Sequence, residues 1–221
     1  MADRPLDQWH EFIEGKIYAD AEAPWRDDPA YSLLLNVPGL RESIGGRIPA
    51  ALIQAIGLVR AIAQVDLVEK IRMRRPAHGL CLGFGMNFTE PYDLLRIFSL
   101  ERVHAYEWIG EHIIEAAQAL QALRASEPLL PDRIRLHHGT LGDLSALTDG
   151  SIRVVYVANV FNPEIPMTEE TFNRALKEIL RVLAAGGVLV SRGSAGALEA
   201  GLARDGRMLL QTPLVSVFEK L

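Results

Sequence analysis

The sequence has one cysteine, Cys81, in 221 residues. A single cysteine cannot form an intramolecular disulfide, and its apolar neighbours favour a buried strand residue over a reactive thiol. Of the six histidines, only His137 and His138 are adjacent, and consecutive strand residues point to opposite faces of a sheet. We therefore predict that the protein has no metal site. The sequence does not identify which histidine, if any, acts as a general base.

Long hydrophobic runs and a strong excess of one charge are also absent. No run approaches the roughly 18 apolar residues of a membrane span, and residues 1–6 lack the basic start of a signal peptide. The net charge of −5 disfavours a nucleic-acid partner, and the short basic segment 70–75 is typical of a helix end. These absences predict a cytoplasmic protein without a membrane or nucleic-acid partner.

The composition suits one α/β domain with an extension, because 49% of the residues are hydrophobic and 23% are charged. Residues 1–76 have helical and irregular patterns: a helix over 6–17, a loop over 21–38, and one long helix or two over 48–74. From residue 77 the pattern changes to alternating strands and helices. We therefore divide the chain into an N-terminal helical extension, 1–76, and an α/β domain, 77–221.

The α/β domain alternates apolar strand-like runs with amphipathic helical segments. We predict parallel strands at 79–82, 103–106, 134–138, 152–158 and 187–191, and helices at 91–100, 109–124, 168–183 and 195–203. Residues 184–187 should end a helix through glycine, and 141–147 should hold a turn with or without a short helix. Strands at 208–211 and 214–219 should form an antiparallel pair. This order predicts a mostly parallel sheet with helices on both faces.

A glycine-rich turn and a distant acid are the strongest functional signal. One apolar strand ends in Gly83-Phe84-Gly85, and the next ends in Glu107, 24 positions after the first glycine. Nucleotide-binding βαβ units have such a turn under the ligand and an acid for the ribose hydroxyls roughly 20 residues later. The alternative is a plain tight turn between a strand and a helix. We interpret the pair as a nucleotide-cofactor site.

Two acids near the start of the following helix bear on the cofactor's charge. Glu90 and Asp93 would repel the pyrophosphate that a helix N-terminus otherwise attracts, and they would suit a cationic ligand. The alternative is that they only stabilise the positive end of the helix dipole. A nicotinamide-dependent oxidoreductase is therefore the less favoured nucleotide-binding class.

Five motifs, in this order, resemble those of the class I S-adenosylmethionine-dependent methyltransferases. They are residues 80–85, 103–108, 138–144, 154–160 and 180–190, and the resemblance covers about residues 77–221. It implies a Rossmann-like, seven-stranded, mostly parallel sheet that has helices on both faces and closes on a C-terminal antiparallel hairpin. It also implies S-adenosyl-L-methionine as cofactor and a methyltransferase activity.

The resemblance implies specific cofactor contacts but no catalytic residue. The implied contacts are Leu82, Gly83, Phe84, Gly85, Asn87, Glu107, Trp108, Gly142, Asp143, Leu144 and Asn159. Glu107 would hold the ribose, while Asp143 and the next backbone amide would bind the adenine. Trp108 would lie along the adenine or in the core, and the alternative for Asp143 is a turn or a helix cap. Asn159 ends the fourth strand, at the edge where open α/β sheets bind ligands.

The first motif departs from the family pattern at two positions. Cys81 stands where the family usually has an acid, and Asn87 stands where a third glycine is common. This leaves two functional hypotheses, a methyltransferase and a methyltransferase-fold binding or structural module without catalytic activity. The segment 159–163 lacks the Asn-Pro-Pro-aromatic motif of amino-group methylation on DNA bases or glutamine, which with the acidic pI disfavours a nucleic-acid substrate. The methyltransferase hypothesis takes a small, partly apolar molecule as acceptor.

The extension 1–76 is the expected cover of the acceptor pocket, because the α/β domain has no long insertion. Its aromatic candidates are Trp9, Phe12, Tyr18, Trp25 and Tyr31, and for each one core packing is the alternative. We expect its apolar helix from about residue 48 to pack on the sheet and residues before about 46 to form a lid. The same apolar surface is a candidate homodimer interface.

Overall fold

The computed structural model describes residues 50–85, 88–124, 127–162, 167–194, 197–212 and 215–221. The helix expected at 6–17, the loop expected at 21–38, the five aromatic candidates of the extension and Asn87 lie outside these ranges. None of the helices in the described ranges is long and apolar enough to cross a membrane.

The described chain contains six helices and seven strands. The helices are α1 Ala50–Ala63, α2 Leu67–Arg72, α3 Thr89–Ile97, α4 Gly110–Leu123, α5 Glu169–Val182 and α6 Ala197–Leu202. The strands are β1 His78–Leu82, β2 Arg102–Glu107, β3 Ile134–His138, β4 Ile152–Ala158, β5 Leu183–Arg192, β6 Gly206–Gln211 and β7 Val215–Lys220, and a 3-10 turn covers Pro131–Arg133.

All seven strands form one sheet in the order β3-β2-β1-β4-β5-β7-β6. The first five strands are parallel, and β7 runs antiparallel to both of its neighbours, β5 and β6. The predicted Rossmann-like sheet with its C-terminal hairpin is therefore confirmed. The strand order reverses between β1 and β4, and ligands of open α/β sheets bind at the carboxyl edge of such a switch point.

Strand alternation divides the apolar residues into two cores, one on each face of the sheet. Cys81 and Tyr156 lie in the core that also contains buried residues of α1, α3 and α4. Leu80 and Val155 lie in the other core, with buried residues of α5 and α6. Helix α1 packs on β6 and β7, so the apolar segment that precedes the α/β domain is part of the same packed unit.

The end of α5 differs from the expected glycine stop. The helix begins after Thr168, whose side chain accepts a hydrogen bond from the Thr171 amide, and it ends at Val182. Leu183 is already extended, and β5 starts there at once. Gly186, at φ +66°, instead lies inside β5, close to where the register with β4 shifts between Ile152 and Val154. An irregular strand pair needs this left-handed residue, which is why the glycine is inside the strand.

The connection between β3 and β4 consists of turns, without a helix. Arg181, on α5, holds this connection: its guanidinium donates to the carbonyl oxygens of Leu144 and Leu147, both at 2.9 Å. The same guanidinium pairs with Glu178 at 2.8 Å, and Glu178 accepts the Leu144 amide at 3.0 Å. Asp149 completes the set of partners. Arg181, the arginine of the fifth motif, therefore ties α5 to the loop after β3.

Replacing Arg181 should weaken the whole domain. Arg181→Gln removes the charged donor from two carbonyl groups and two carboxylates, and we expect the free energy of unfolding to fall by about 1.5–3 kcal/mol. The matched control is Arg174→Gln on the same helix, because among the described residues the ion-pair partner of Arg174 is the exposed Glu170. Such exposed pairs contribute about 0.5 kcal/mol or less. Urea unfolding measures both, and equal losses would contradict the assignment.

Candidate functional site

The turn after β1 approaches two other parts of the carboxyl edge. Gly83 and Gly85 have left-handed φ values of +65° and +56°. The Gly83 amide donates to the carbonyl oxygen of Tyr106 at 2.8 Å. A Cβ atom on Gly83 would lie 2.5 Å from Cγ2 of Val160, in the loop after β4. Both the conformation and the space therefore require glycine at position 83.

The carboxylate of Glu107 connects the ends of β1 and β2. Glu107 is only 2% exposed. Its Oε2 accepts the Gly85 amide at 2.9 Å, and its Oε1 accepts the amides of Trp108 and Ile109 at 2.9 and 3.0 Å. The buried His112 places Nδ1 3.9 Å from Oε1. Three backbone donors offset much of the cost of burying this charge.

Glu107 is thus more buried than an acid at a strand end that would face only a ligand, and its carboxylate already accepts hydrogen bonds from the protein. A carboxylate offers about four acceptor positions, and the backbone amides use three of them. By this count, one acceptor position of the carboxylate is not used by these amides. The neighbouring Trp108 is 48% exposed, so the core alternative for this side chain is wrong. Its carbonyl oxygen lies 3.0 Å from Nε2 of His138 at the end of β3.

The loop expected to bind adenine follows β3, and one of its backbone amides already donates a hydrogen bond within the protein. Asp143 is exposed and accepts the Ser145 amide at 3.1 Å; hydrogen bonds from Ser145 lower its pKa. No helix begins there, so Asp143 closes a turn and does not cap a helix. The buried Leu144 donates its amide to Glu178. Gly142 lies against the Arg174 side chain, where a Cβ would come within 3.0 Å.

The ends of β4 and β5 meet at Asn159. Asn159 has a left-handed φ of +59°, which asparagine adopts more readily than most residues. Its amide donates to the Arg192 carbonyl oxygen at 2.8 Å. A Cβ on Gly193 would lie 2.7 Å from Oδ1 of Asn159. The predicted site position is thus at the carboxyl edge, one residue before the valine that contacts Gly83.

Three residues that the sequence did not single out support the loops at the carboxyl edge of the sheet. Glu178 and Arg181 order the loop after β3, and Gly193 makes room for Asn159. Arg181 belongs to the fifth motif, residues 180–190, but the motif does not indicate its contacts with the loop after β3. Glu178 lies three positions earlier on α5, which is the spacing of neighbours on one helix face; that was the available signal.

The two acids of α3 are buried. Glu90 is 5% exposed and Asp93 is 2% exposed. Burial raises the pKa of the Cys81 thiol well above its ordinary value, and the nearby carboxylates of Glu90 and Glu107 raise it further. Cys81 is therefore the buried, unreactive strand residue that its neighbours predicted. Burial also raises the pKa of Asp93 to about 7, against the opposing effect of Arg96.

Asp93 should make the stability pH-dependent. The native carboxyl keeps its proton up to about pH 7, whereas the unfolded carboxyl loses it near 3.8. The unfolded state binds fewer protons in this window, so stability falls as the pH rises through it. Relative to the wild type, Asp93→Asn should gain up to about 1.4 kcal/mol per pH unit between pH 5 and 7.

Urea unfolding at pH 5, 6 and 7 checks this expectation. The control is Asp205→Asn, which removes an exposed carboxylate in the turn before β6. A constant difference between wild type and Asp93→Asn across these pH values would contradict the burial effect, whereas the control should show only such a constant difference.

The chain resembles known proteins both in part of its sequence and in its fold. Residues 88–191 match the family model described as a methyltransferase domain. Among curated proteins, none matches the chain. The N-methyltransferase NodS from Bradyrhizobium japonicum is 16% identical, with a TM-score of 0.51, over 74% of this chain and 97% of that one. An rRNA methylase from Streptococcus thermophilus is also 16% identical, with a TM-score of 0.52, over 76% and 96%.

A third structure is larger. The putative sarcosine dimethylglycine methyltransferase from Galdieria sulphuraria is 19% identical, with a TM-score of 0.44, over 61% of this chain. The present chain spans 44% of that protein's length. At 16% identity, the similarity to NodS and to the rRNA methylase shows the fold alone.

Proposed function

We propose that the chain is a class I S-adenosylmethionine-dependent methyltransferase, and that it transfers a methyl group from S-adenosylmethionine to a small, partly apolar molecule; the methyltransferase family model over residues 88–191 supports this. The observation that carries the proposal is the carboxyl edge at the switch point. There the Gly83–Gly85 turn, the buried carboxylate of Glu107 and the strand end at Asn159 converge.

The residues of this edge fit the proposed cofactor. The turn without a Cβ at Gly83 would accept the methionine part closely, and the remaining acceptor position of Glu107 would receive a ribose hydroxyl. The exposed carboxylate of Asp143 would accept from the adenine amino group, with Trp108 beside the ring. When bound, S-adenosylmethionine supplies an electrophilic methyl group on a sulfonium.

The protein's contribution to the transfer would be mainly positional. Holding two reactants in line converts an encounter into an effectively unimolecular step. Glu90 is buried close enough to Cys81 to raise the pKa of its thiol, and it would add negative potential near a cationic ligand, where Cys81 replaces the family's usual acid. A base is needed only for an acceptor that must lose a proton, and we assign that role to no residue.

The extension is part of the proposal. We assign residues 1–76 as the extension and residues 77–221 as the methyltransferase domain, with the segment before about residue 46 as the lid over the acceptor. Helix α1 packs on β6 and β7, so it would anchor such a lid. A cytoplasmic protein without a nucleic-acid partner, with a homodimer interface on its apolar surface, completes the hypothesis.

One observation favours a second function, a binding or structural module without transfer. Polar groups expected to contact the cofactor already make contacts inside the protein: three amides occupy Glu107, and Glu178 occupies the Leu144 amide. If these contacts persist, the edge offers fewer free groups to a ligand. Cys81 in place of the usual acid points the same way.

Calorimetric titration with S-adenosylhomocysteine separates the two functions. We expect saturable binding to the full chain, because the turn, the ribose acceptor and the exposed Asp143 remain open to it. In Glu107→Gln the affinity should fall roughly ten- to a hundredfold, the effect of losing a charged hydrogen-bond partner worth about 1.5–3 kcal/mol.

The control for this titration is Glu101→Gln, which removes a carboxylate just before the same strand. Glu101 forms an exposed ion pair with Arg75 and lies outside the carboxyl edge. Its affinity should equal that of the wild type. Absence of binding at millimolar ligand would refute the methyltransferase and leave the second function. Circular dichroism should be used to check that Glu107→Gln is folded, because the Glu107 carboxylate also links the turn after β1 to the end of β2.

Truncation tests the lid. A chain that begins at Pro49 retains α1 and the whole sheet, so it should fold and bind S-adenosylhomocysteine like the full chain. It should lose methyl transfer to acceptor molecules that the full chain accepts, measured as S-adenosylhomocysteine release. Full activity of the shorter chain would contradict a lid, and failure to fold would show that the segment belongs to the core.

A further inference from the structure

One face of β1, β2 and β3 carries a group of basic side chains. Its members are His78, Arg102, His104, Arg135 and His137, and we call this group the cationic face. His78 is paired in register with Arg102, and His104 with Arg135. Residues paired in register share a face, as do residues two apart on one strand. The five side chains therefore occupy neighbouring positions that extend from the first residues of β1 and β2 to His137, the fourth of the five residues of β3.

This face is open at the β3 edge. The chain runs from β3 to β4 without a helix, and the helices that pack on β3 are α3 and α4. Both belong to the core on the opposite face. Arg135 is exposed, while His78, Arg102 and His137 are partly exposed. A ligand can therefore reach the group from solvent.

The imidazoles are held in place. Nδ1 of His104 lies 3.0 Å from Nε2 of His137, and His104 is only 9% exposed. The His137 ring stacks on Tyr106 with centroids 4.3 Å apart and an interplanar angle of 4°. The ring of His78 lies 6.3 Å from that of His104. These contacts preorganise three rings on an otherwise accessible surface, which lowers the entropic cost of binding.

The positive charge of this face lacks a counter-charge. Within the described ranges, neither Arg102 nor Arg135 forms an ion pair, and Nε of Arg102 is buried without a hydrogen-bond partner. The carboxylate that acts on His78 is Glu101, which is paired with Arg75 at 3.4 Å. Burial lowers the pKa of all three imidazoles, that of His104 to about 4. The neighbouring histidines lower the pKa of His104 further, and both arginines lower the pKa of His78 and His104, whereas only Arg135 acts on His137.

We propose that the cationic face binds the phosphate group of a small molecule. A phosphate has several acceptor oxygens and two negative charges, which suits donors spread over three adjacent strands better than a two-oxygen carboxylate does. The unpartnered Arg102 Nε and the exposed Arg135 guanidinium supply the fixed charge. Two such faces would repel each other, so a second copy of this chain is not the occupant.

Binding should be linked to proton uptake. The charged or titratable groups beside the three imidazoles are Arg102, Arg135, Glu101 and Tyr106. Burial raises the pKa of the Tyr106 hydroxyl, which therefore stays neutral near pH 7. A bound dianion favours protonated imidazoles. The affinity therefore rises as the pH falls, by up to about tenfold per pH unit for each proton taken up.

NMR titration of the histidine side chains tests the proposal with inorganic phosphate and with sulfate, at constant ionic strength kept by chloride. Sulfate is a tetrahedral dianion whose charge is constant in this range, so it isolates the proton uptake of the protein. We expect saturable shifts of His78, His104 and His137, with tighter sulfate binding at pH 6 than at pH 8. Arg135→Gln should weaken binding at least tenfold, whereas Arg204→Gln, an exposed arginine before β6, should not.

Three outcomes overturn the proposal. The first is the absence of saturable shifts, or shifts that chloride alone reproduces. The second is an unchanged affinity in Arg135→Gln. The third is competition by S-adenosylhomocysteine, which would place the anion at the carboxyl edge. Because the cationic face and that edge are titrated separately, failure here leaves the proposed methyltransferase function unaffected.

Discussion

The carboxyl edge of this sheet depends on one buried carboxylate. Glu107 receives the amide of Gly85 from the turn after β1 and those of Trp108 and Ile109 at the start of α4. A buried charge is costly unless donors surround it, so burial and the conformation of both loops require each other. The geometry of the turn is thus set by the end of the neighbouring strand, and any ligand of this edge meets a preorganised surface.

The other loops of the edge are held by the same kind of interaction at different positions. Arg181 and Glu178 lie on α5, yet they order the loop after β3 through its backbone groups. Charged groups that bind main chain tolerate changes in the side chains of that loop. Helix α5 therefore fixes the backbone conformation of the loop after β3. The side chains of Asp143 and Trp108, which are exposed, take no part in these backbone contacts.

The two halves of the sheet differ in what covers them. Around β4, β5 and β7, the second core is closed by α5 and α6. The connection from β3 to β4 has no helix, and the corresponding positions of β2 and β3 hold Arg102, His104, Arg135 and His137 where apolar residues would otherwise be. A sheet face that lacks a covering helix needs polar residues, since exposed apolar surface is unfavourable. The cationic face follows from this missing layer.

The sequence by itself determined the fold class and most elements. The apolar runs predicted β3 and β4 at their observed bounds, and the motif order predicted the sheet and its hairpin, because burial on both faces and strand length are local properties. Only the tertiary structure decided the burial of Glu90 and Asp93, the start of β5 at Leu183, the Glu178 contact with the Leu144 amide, and the meeting of His78, His104 and His137. These features depend on strand register and on helix-to-loop contacts between distant residues, which no local pattern encodes.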